Sequence, residues 1–142
     1  MGRKTVAALA LTGALLGAGV AAFAAAPMQV TPLVTTTTTW SGQPLALPQG
    51  AVELKANHVV MPVGFALAPH KHPYPRYVFI KSGRLSVSNE ATGATREFGP
   101  GEVLVEAIDQ WHSGKVVGDE PVVLTVIDQT PPGVSNVVQK PQ

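Results

Sequence analysis

Histidines are the residues in this chain whose type and spacing could do chemistry. His70 and His72 lie two residues apart, directly before Pro73. Because alternate residues of a β-strand project from the same face, both imidazoles would point one way while Lys71 points away. Imidazole nitrogen binds zinc, copper, iron and nickel, so two rings on one face make half of a metal site.

His112 is the natural third ligand, because antiparallel strands in a barrel can bring its later segment beside the first pair. Three imidazoles would leave an open position on the ion for substrate or water. We therefore expect His70, His72 and His112 to bind one divalent transition metal, with Fe, Mn, Zn, Ni and Cu as candidates. In the alternative interpretation, the neighbouring histidines simply occupy a polar barrel mouth beside Pro73.

Short β-strands are the elements that must position these side chains. Apolar and polar residues alternate from Val52 to Val60, as in a half-buried strand whose apolar side includes His58. Turn residues separate further short segments, and we predict strands at residues 64–72, 76–80, 84–88, 95–98, 102–106 and 122–128. The gaps are too short for crossover helices, so the sequence predicts an all-β antiparallel sandwich or barrel.

The N-terminal segment has the parts of a secretory signal peptide. Met1-Gly2-Arg3-Lys4 precedes an apolar, alanine-rich run that ends in small residues. We expect cleavage after Ala24, because a cut after Ala26 would place Pro27 just past the scissile bond. The product would be a secreted or periplasmic protein that has left the membrane. An uncleaved membrane anchor is the alternative.

The rest of the chain has room for one domain. We expect an extended, proline-containing arm at residues 25–50, the barrel at residues 51–130 and a C-terminal tail at residues 131–142. Two of the 10 Lys+Arg residues belong to the signal, which leaves eight against 9 Asp+Glu. Without a basic stripe, nucleic acid is not an expected partner. The absence of cysteine excludes disulfides, Cys-ligated zinc and thiol nucleophiles.

Two stretches resemble the motifs of the cupin superfamily. In the first, Gly64 is followed after five residues by His70, then by His72, and Gly83 ends the stretch. Arg76 stands where this motif places a glutamate.

The second cupin motif runs from a glycine to a histidine eleven residues later, and Gly101 and His112 have this spacing. Ala107 replaces the motif's proline and Asp109 its glycine, and both changes fall in a turn. The resemblance covers about residues 52–128 and is closest to small exported cupins. It implies a two-sheet jelly-roll barrel, often dimeric, with a divalent metal in its mouth, and a homodimer is therefore one expectation.

The arginine in the first motif has three interpretations. Arginine is permanently charged and offers only donors, so Arg76 cannot bind a cation and would repel one nearby. We expect Arg76 to turn outward and to leave a three-histidine site. Alternatively it lines the pocket and holds a substrate carboxylate, or the site has lost its metal.

Glu106 is the candidate that could replace the missing acid. If its strand continues through the altered turn, Glu106 lies on the same side of the strand as His112. That side would consist of Leu104, Glu106, Ile108, Gln110 and His112. Glu106 would then enter the pocket as a metal ligand or a catalytic general base. Otherwise it is a solvated residue at a strand end.

Function divides into two classes. One is a metal-dependent enzyme acting on a small oxygen-bearing substrate. The other is a non-catalytic module of the cell envelope that binds a metal or a small molecule. The barrel alone does not choose between them, because one fold carries many chemistries.

Overall fold

The computed structural model describes residues 26–141, and the predicted signal peptide at residues 1–24 lies outside them. The described chain consists of β-strands, turns and irregular segments. No helix in this part is long and apolar enough to cross a membrane. From Thr31 onward the described residues form one compact unit.

Nine strands are present between residues 26 and 141: β1 (Glu53–Met61), β2 (His70–Lys71), β3 (Arg76–Ser82), β4 (Arg84–Asn89), β5 (Thr95–Phe98), β6 (Val103–Val105), β7 (His112–Val117), β8 (Val122–Thr130) and β9 (Val138–Gln139). They form a four-stranded sheet in the order β1-β8-β3-β6 and a five-stranded sheet in the order β5-β4-β7-β2-β9. All the strand pairs are antiparallel, so the predicted all-β jelly-roll architecture is confirmed.

The hydrophobic core lies between the two sheets. Side chains from both inner faces pack together there, including Val78, Ile80 and Leu124 from the first sheet and Leu85 and Val87 from the second. Burying apolar surface on both inner faces is what holds a two-sheet structure together. One end of this interior opens into a cavity beside the histidines.

Strand β1 has the predicted alternation with the opposite orientation. Leu54 and Val60 are 62% and 57% exposed, and His58 lies exposed on the same side, whereas Met61 is buried. The register explains this orientation, because Met61 pairs with buried Val122 of β8 and must share its inward face. The prediction that the apolar side of this strand faces inward is wrong.

Two other differences concern the strands that carry the histidines. The predicted strand at residues 64–72 is mostly an irregular segment, and only His70–Lys71 is a strand. Strand β7, which begins at His112, was not predicted. The alternation of β7 is interrupted by Gly114, which has no side chain to mark the inward face. Leu67 packs so closely there that a Cβ on Gly114 would lie 3.2 Å from the Leu67 Cδ1.

Candidate metal centre

Three histidines meet at one end of the second sheet. His70 on β2 pairs directly with His112 on β7, and His72 follows two residues after His70. All three side chains are buried. The ligand atoms they offer all lie within 4.8 Å of one another. The residues that the sequence singled out as metal ligands therefore form one cluster.

Backbone carbonyls set the orientation of all three rings. His70 Nδ1 lies 2.8 Å from the Ala68 carbonyl, and His112 Nδ1 lies 2.8 Å from the Gln110 carbonyl. His72 Nδ1 lies 2.6 Å from the carbonyl of Asn136. A carbonyl only accepts hydrogen bonds, so each Nδ1 carries the proton and each Nε2 keeps its lone pair. This is the state in which Nε2 can bind a metal.

Glu106 completes the cluster from the first sheet. Its Oε2 lies 3.6 Å from His112 Nε2, and both atoms are buried without a hydrogen-bond partner among the described residues. An ionised carboxylate and an imidazole lone pair are both acceptors, so their close approach is favourable only with a cation or a proton between them. The residues therefore fit a metal ion. Bonds of ~2.0–2.1 Å to each nitrogen would require the cluster to contract around the ion.

Glu106 reaches this position without a continuation of its strand, which was one of the two interpretations of this residue. Strand β6 ends at Val105, and Asp109 adopts φ 53, the left-handed conformation of the glycine that it replaces. The turn is therefore kept, and Glu106 is buried rather than solvated at the strand end. Gln110 lies outside the cluster, because its Oε1 accepts hydrogen bonds from Asn89 and Ser41.

Arg76 points inward, so the expectation that it turns outward is wrong. It shares the inner face of β3 with Val78, and its partner in the sheet register is Asp128. Arg76 Nε and Nη2 donate to the two Asp128 carboxylate oxygens at 2.7 and 2.9 Å. The remaining Nη1 lies 3.4 Å from His72 Nε2. The buried carboxylate provides the compensating charge that makes an inward arginine acceptable.

Asn136 is a site residue that the sequence did not reveal. It lies buried in the C-terminal segment, where its carbonyl accepts the hydrogen bond from His72. Its side chain donates to Asp128 Oδ1 at 2.6 Å and accepts from the Tyr74 amide at 2.9 Å. No spacing or motif distinguishes it in the sequence. Asp128 was detectable, because it continues the inward-facing alternation of β8, which runs from Val122 to Thr130.

Burial shifts the pKa values of the cluster in opposite directions. Desolvation lowers the pKa of His70 and His112, and with the nearby Arg76 charge it lowers that of His72 to about 2. Desolvation also raises the pKa of Glu106 to about 7. Imidazoles that stay neutral near pH 7 are the form that binds metals.

A cavity of about 340 Å³ adjoins the cluster. His70, Arg76 and Glu106 contribute to its wall, so the cluster is accessible to a small molecule from this side. The rest of the wall is almost entirely apolar. Metal-ligating side chains at one part of an apolar cavity are a common arrangement in small-molecule sites.

The fold and this cluster define a two-sheet β-barrel with a candidate metal centre beside an internal cavity. The family described as the cupin domain matches residues 57–128. That stretch is more than half of the chain and contains all three histidines, Arg76 and Glu106. The protein therefore belongs to the cupin domain family.

Solved structures agree with this assignment. The chain is 26% identical to the DMSP lyase DddQ from Ruegeria pomeroyi DSS-3, with a TM-score of 0.53 over 61% of this chain and 42% of that one. It is 24% identical to the oxalate decarboxylase of Lactobacillus farciminis, with a TM-score of 0.52 over 61% of this chain and 26% of that one.

A Bacillus halodurans protein is 19% identical, with a TM-score of 0.51 over 61% of this chain and 69% of that one. The last two similarities show the fold alone. The chain spans less than half the length of the DMSP lyases that it matches. No curated protein matches the sequence at a significant level.

Proposed function

We propose that this protein is an exported cupin that binds one divalent first-row transition metal through His70, His72 and His112. The observation that carries the proposal is the convergence of three buried histidines whose tautomers are fixed by backbone carbonyls. The unpartnered Glu106 oxygen facing His112 supports it, because a cation satisfies both atoms at once.

Glu106 is the residue suited to proton transfer in this site. It is buried beside the cluster and lines the cavity, and its pKa of about 7 allows it to take up or release a proton at neutral pH. A bound divalent ion would polarise an oxygen atom of a small molecule in the cavity. The R. pomeroyi protein is named for a lyase activity on DMSP, which agrees with a small-molecule role.

One contact favours a second candidate function. Arg76 Nη1 lies 3.4 Å from His72 Nε2, the lone pair that a metal would need. If that hydrogen bond persists in solution, the protein is a metal-free module that binds a small molecule. The two candidates differ in whether the Nε2 lone pair of His72 goes to an ion or to a guanidinium.

Metal analysis of the purified protein separates these candidates. We expect about one ion per chain, and His70→Ala and His72→Ala should each abolish stoichiometric metal. The matched control is His58→Ala, because His58 is exposed on the outer side of β1 and should not affect metal content. Metal content that is unaffected by both His70→Ala and His72→Ala would disprove the three-histidine site.

Export is supported by the N-terminal sequence, in which a short basic head precedes an apolar, alanine-rich run. We propose that cleavage yields a chain beginning near Ala25. Mass spectrometry of protein from the envelope fraction tests this, and a full-length mass in the membrane fraction would contradict it.

A further inference from the structure

The cavity beside the cluster has an apolar wall. Within residues 26–141, its lining is apolar apart from His70, Arg76, Glu106 and Gln139. Both sheets contribute buried side chains to this wall: Met61, Val78, Leu85, Leu124 and Val126. A ligand that fills this space must therefore offer an apolar body, because a polar body would lose its hydration without finding partners.

The mouth of the cavity is apolar as well. Phe65, Leu67 and Val137 line it and are 42%, 37% and 37% exposed. Exposed apolar side chains grouped around an opening are typical of ligand-binding grooves, where a ligand removes them from water. The mouth and the inner wall thus favour the same kind of ligand.

The polar part of the cavity favours a negative charge. Asp128 engages Nε and Nη2 of Arg76, which leaves Nη1 directed at His72 Nε2. When His72 Nε2 binds a metal, Nη1 loses this acceptor and needs another. A divalent ion and Arg76 together carry three positive charges against at most two negative charges from Asp128 and Glu106. One anionic group on the ligand would balance them.

We propose that the cavity binds a small monoanion with an apolar body, such as a short-chain carboxylate. Its charged head would lie toward Arg76 and the metal centre, and its body along the apolar wall. A cavity of about 150 Å³ holds benzene, so a space of about 340 Å³ suits a ligand of roughly ten non-hydrogen atoms. This ligand class rests on the proposed metal-binding function.

A series of six-carbon probes tests the proposal. Calorimetric titrations of the zinc-loaded protein would compare hexanoate with acetate, hexan-1-ol, hexylamine and the dianion adipate. We expect hexanoate to bind up to ~200-fold more tightly than acetate, because each buried methylene contributes about fourfold. Hexan-1-ol, hexylamine and adipate should each bind at least ~10-fold more weakly than hexanoate. The alcohol and the amine lack the negatively charged acceptor, and adipate places a second charge against the apolar wall.

Two substitutions at the mouth give a matched pair. Phe65→Ser removes an apolar lining side chain that is partly exposed, so the fold should survive. We expect it to weaken hexanoate about fivefold or more and to leave acetate unchanged. Val63→Ser is the control, because Val63 is 53% exposed in the same segment and does not line the cavity.

The outcomes separate this inference from the metal proposal. If zinc binds but hexanoate shows no advantage over acetate, or Phe65→Ser has no effect, the ligand class is wrong and the metal site stands. If zinc does not bind, the metal proposal falls; the ligand class then stands only if hexanoate still binds more tightly than both acetate and hexan-1-ol, with Arg76 as its sole positive partner. If neither binds, both are wrong.

Discussion

Asn136→Ala is the most informative substitution outside the histidine cluster. The Asn136 side chain donates to Asp128 Oδ1 at 2.6 Å, and it accepts from the Tyr74 amide at 2.9 Å. Its amide also donates to the Tyr74 carbonyl at 3.2 Å. These bonds hold the backbone whose carbonyl accepts the hydrogen bond from His72 Nδ1. Alanine would remove all these bonds and leave the His72–carbonyl contact without support.

The expected cost follows from the partners that lose a bond. A hydrogen bond to a charged group contributes ~1.5–3 kcal/mol and one between neutral groups ~1 kcal/mol, so Asn136→Ala should lower the free energy of unfolding by about 3 kcal/mol. For a domain of this size, that corresponds to a fall in melting temperature of roughly 10 °C. Released from its carbonyl, His72 should populate both neutral tautomers. Metal affinity should fall ~10–100-fold, as is typical when a residue that orients a ligand is lost.

Thermal unfolding measured by circular dichroism and ¹⁵N spectra of the imidazoles in metal-free protein would test this prediction. His70 and His112 are internal controls, because the carbonyls of Ala68 and Gln110 orient them. Ser135→Ala is the matched variant, since among residues 26–141 the Ser135 hydroxyl bonds only to the nearby Val137 backbone. A melting temperature within about 2 °C of the parent's and an unchanged His72 spectrum would refute the reasoning.

Three further predictions concern charge around the cluster. Zinc affinity should fall below about pH 7 in the parent, because Glu106 takes up a proton there. In Glu106→Gln the fall should begin only below pH 6.5, since burial lowers the histidine pKa values. Identical pH profiles of the two proteins would exclude Glu106 from metal binding. Arg76→Ala should lower the free energy of unfolding by ~3–5 kcal/mol in urea titrations, because Asp128 would stay buried and unpaired; a loss below 1 kcal/mol would contradict this. The double variant Arg76→Met, Asp128→Asn should recover most of that stability, because neither charge is left buried and unpaired. It should also bind zinc more tightly than the parent in chelator competition. Weaker binding would show that the guanidinium does not oppose the ion.

The fold and the histidine cluster could be predicted from local pattern. A period of two places His70 and His72 on one face, and the spacing from Gly101 to His112 supplies the third ring. Strand β7 could not be predicted, because Gly114 interrupts its pattern to make room for Leu67 from a distant segment. The β-propensity of a segment depends on its surroundings and does not identify which distant residue packs on it.

The surroundings of the cluster depend on partners far apart in sequence. Arg76 turns inward because Asp128 lies across the sheet register from it, 52 residues later. Asn136 reaches His72 across 64 residues from a segment with little regular structure. No periodic pattern marks such contacts, so the direction of Arg76 was predicted wrongly and Asn136 was missed.

The inward arginine changes what the cluster can bind. A glutamate at position 76 would add a negative ligand, whereas Arg76 adds a positive charge whose strongest bonds go to Asp128. Because Asp128 accepts from Nε and Nη2, only Nη1 is directed at the cluster, and Asn136 fixes Asp128 in turn. Glu106 is then the acidic side chain that faces His112. An ion held by three neutral imidazoles and one carboxylate would keep a positive charge, which is the physical reason to expect an anionic ligand in this cavity rather than a neutral or cationic one.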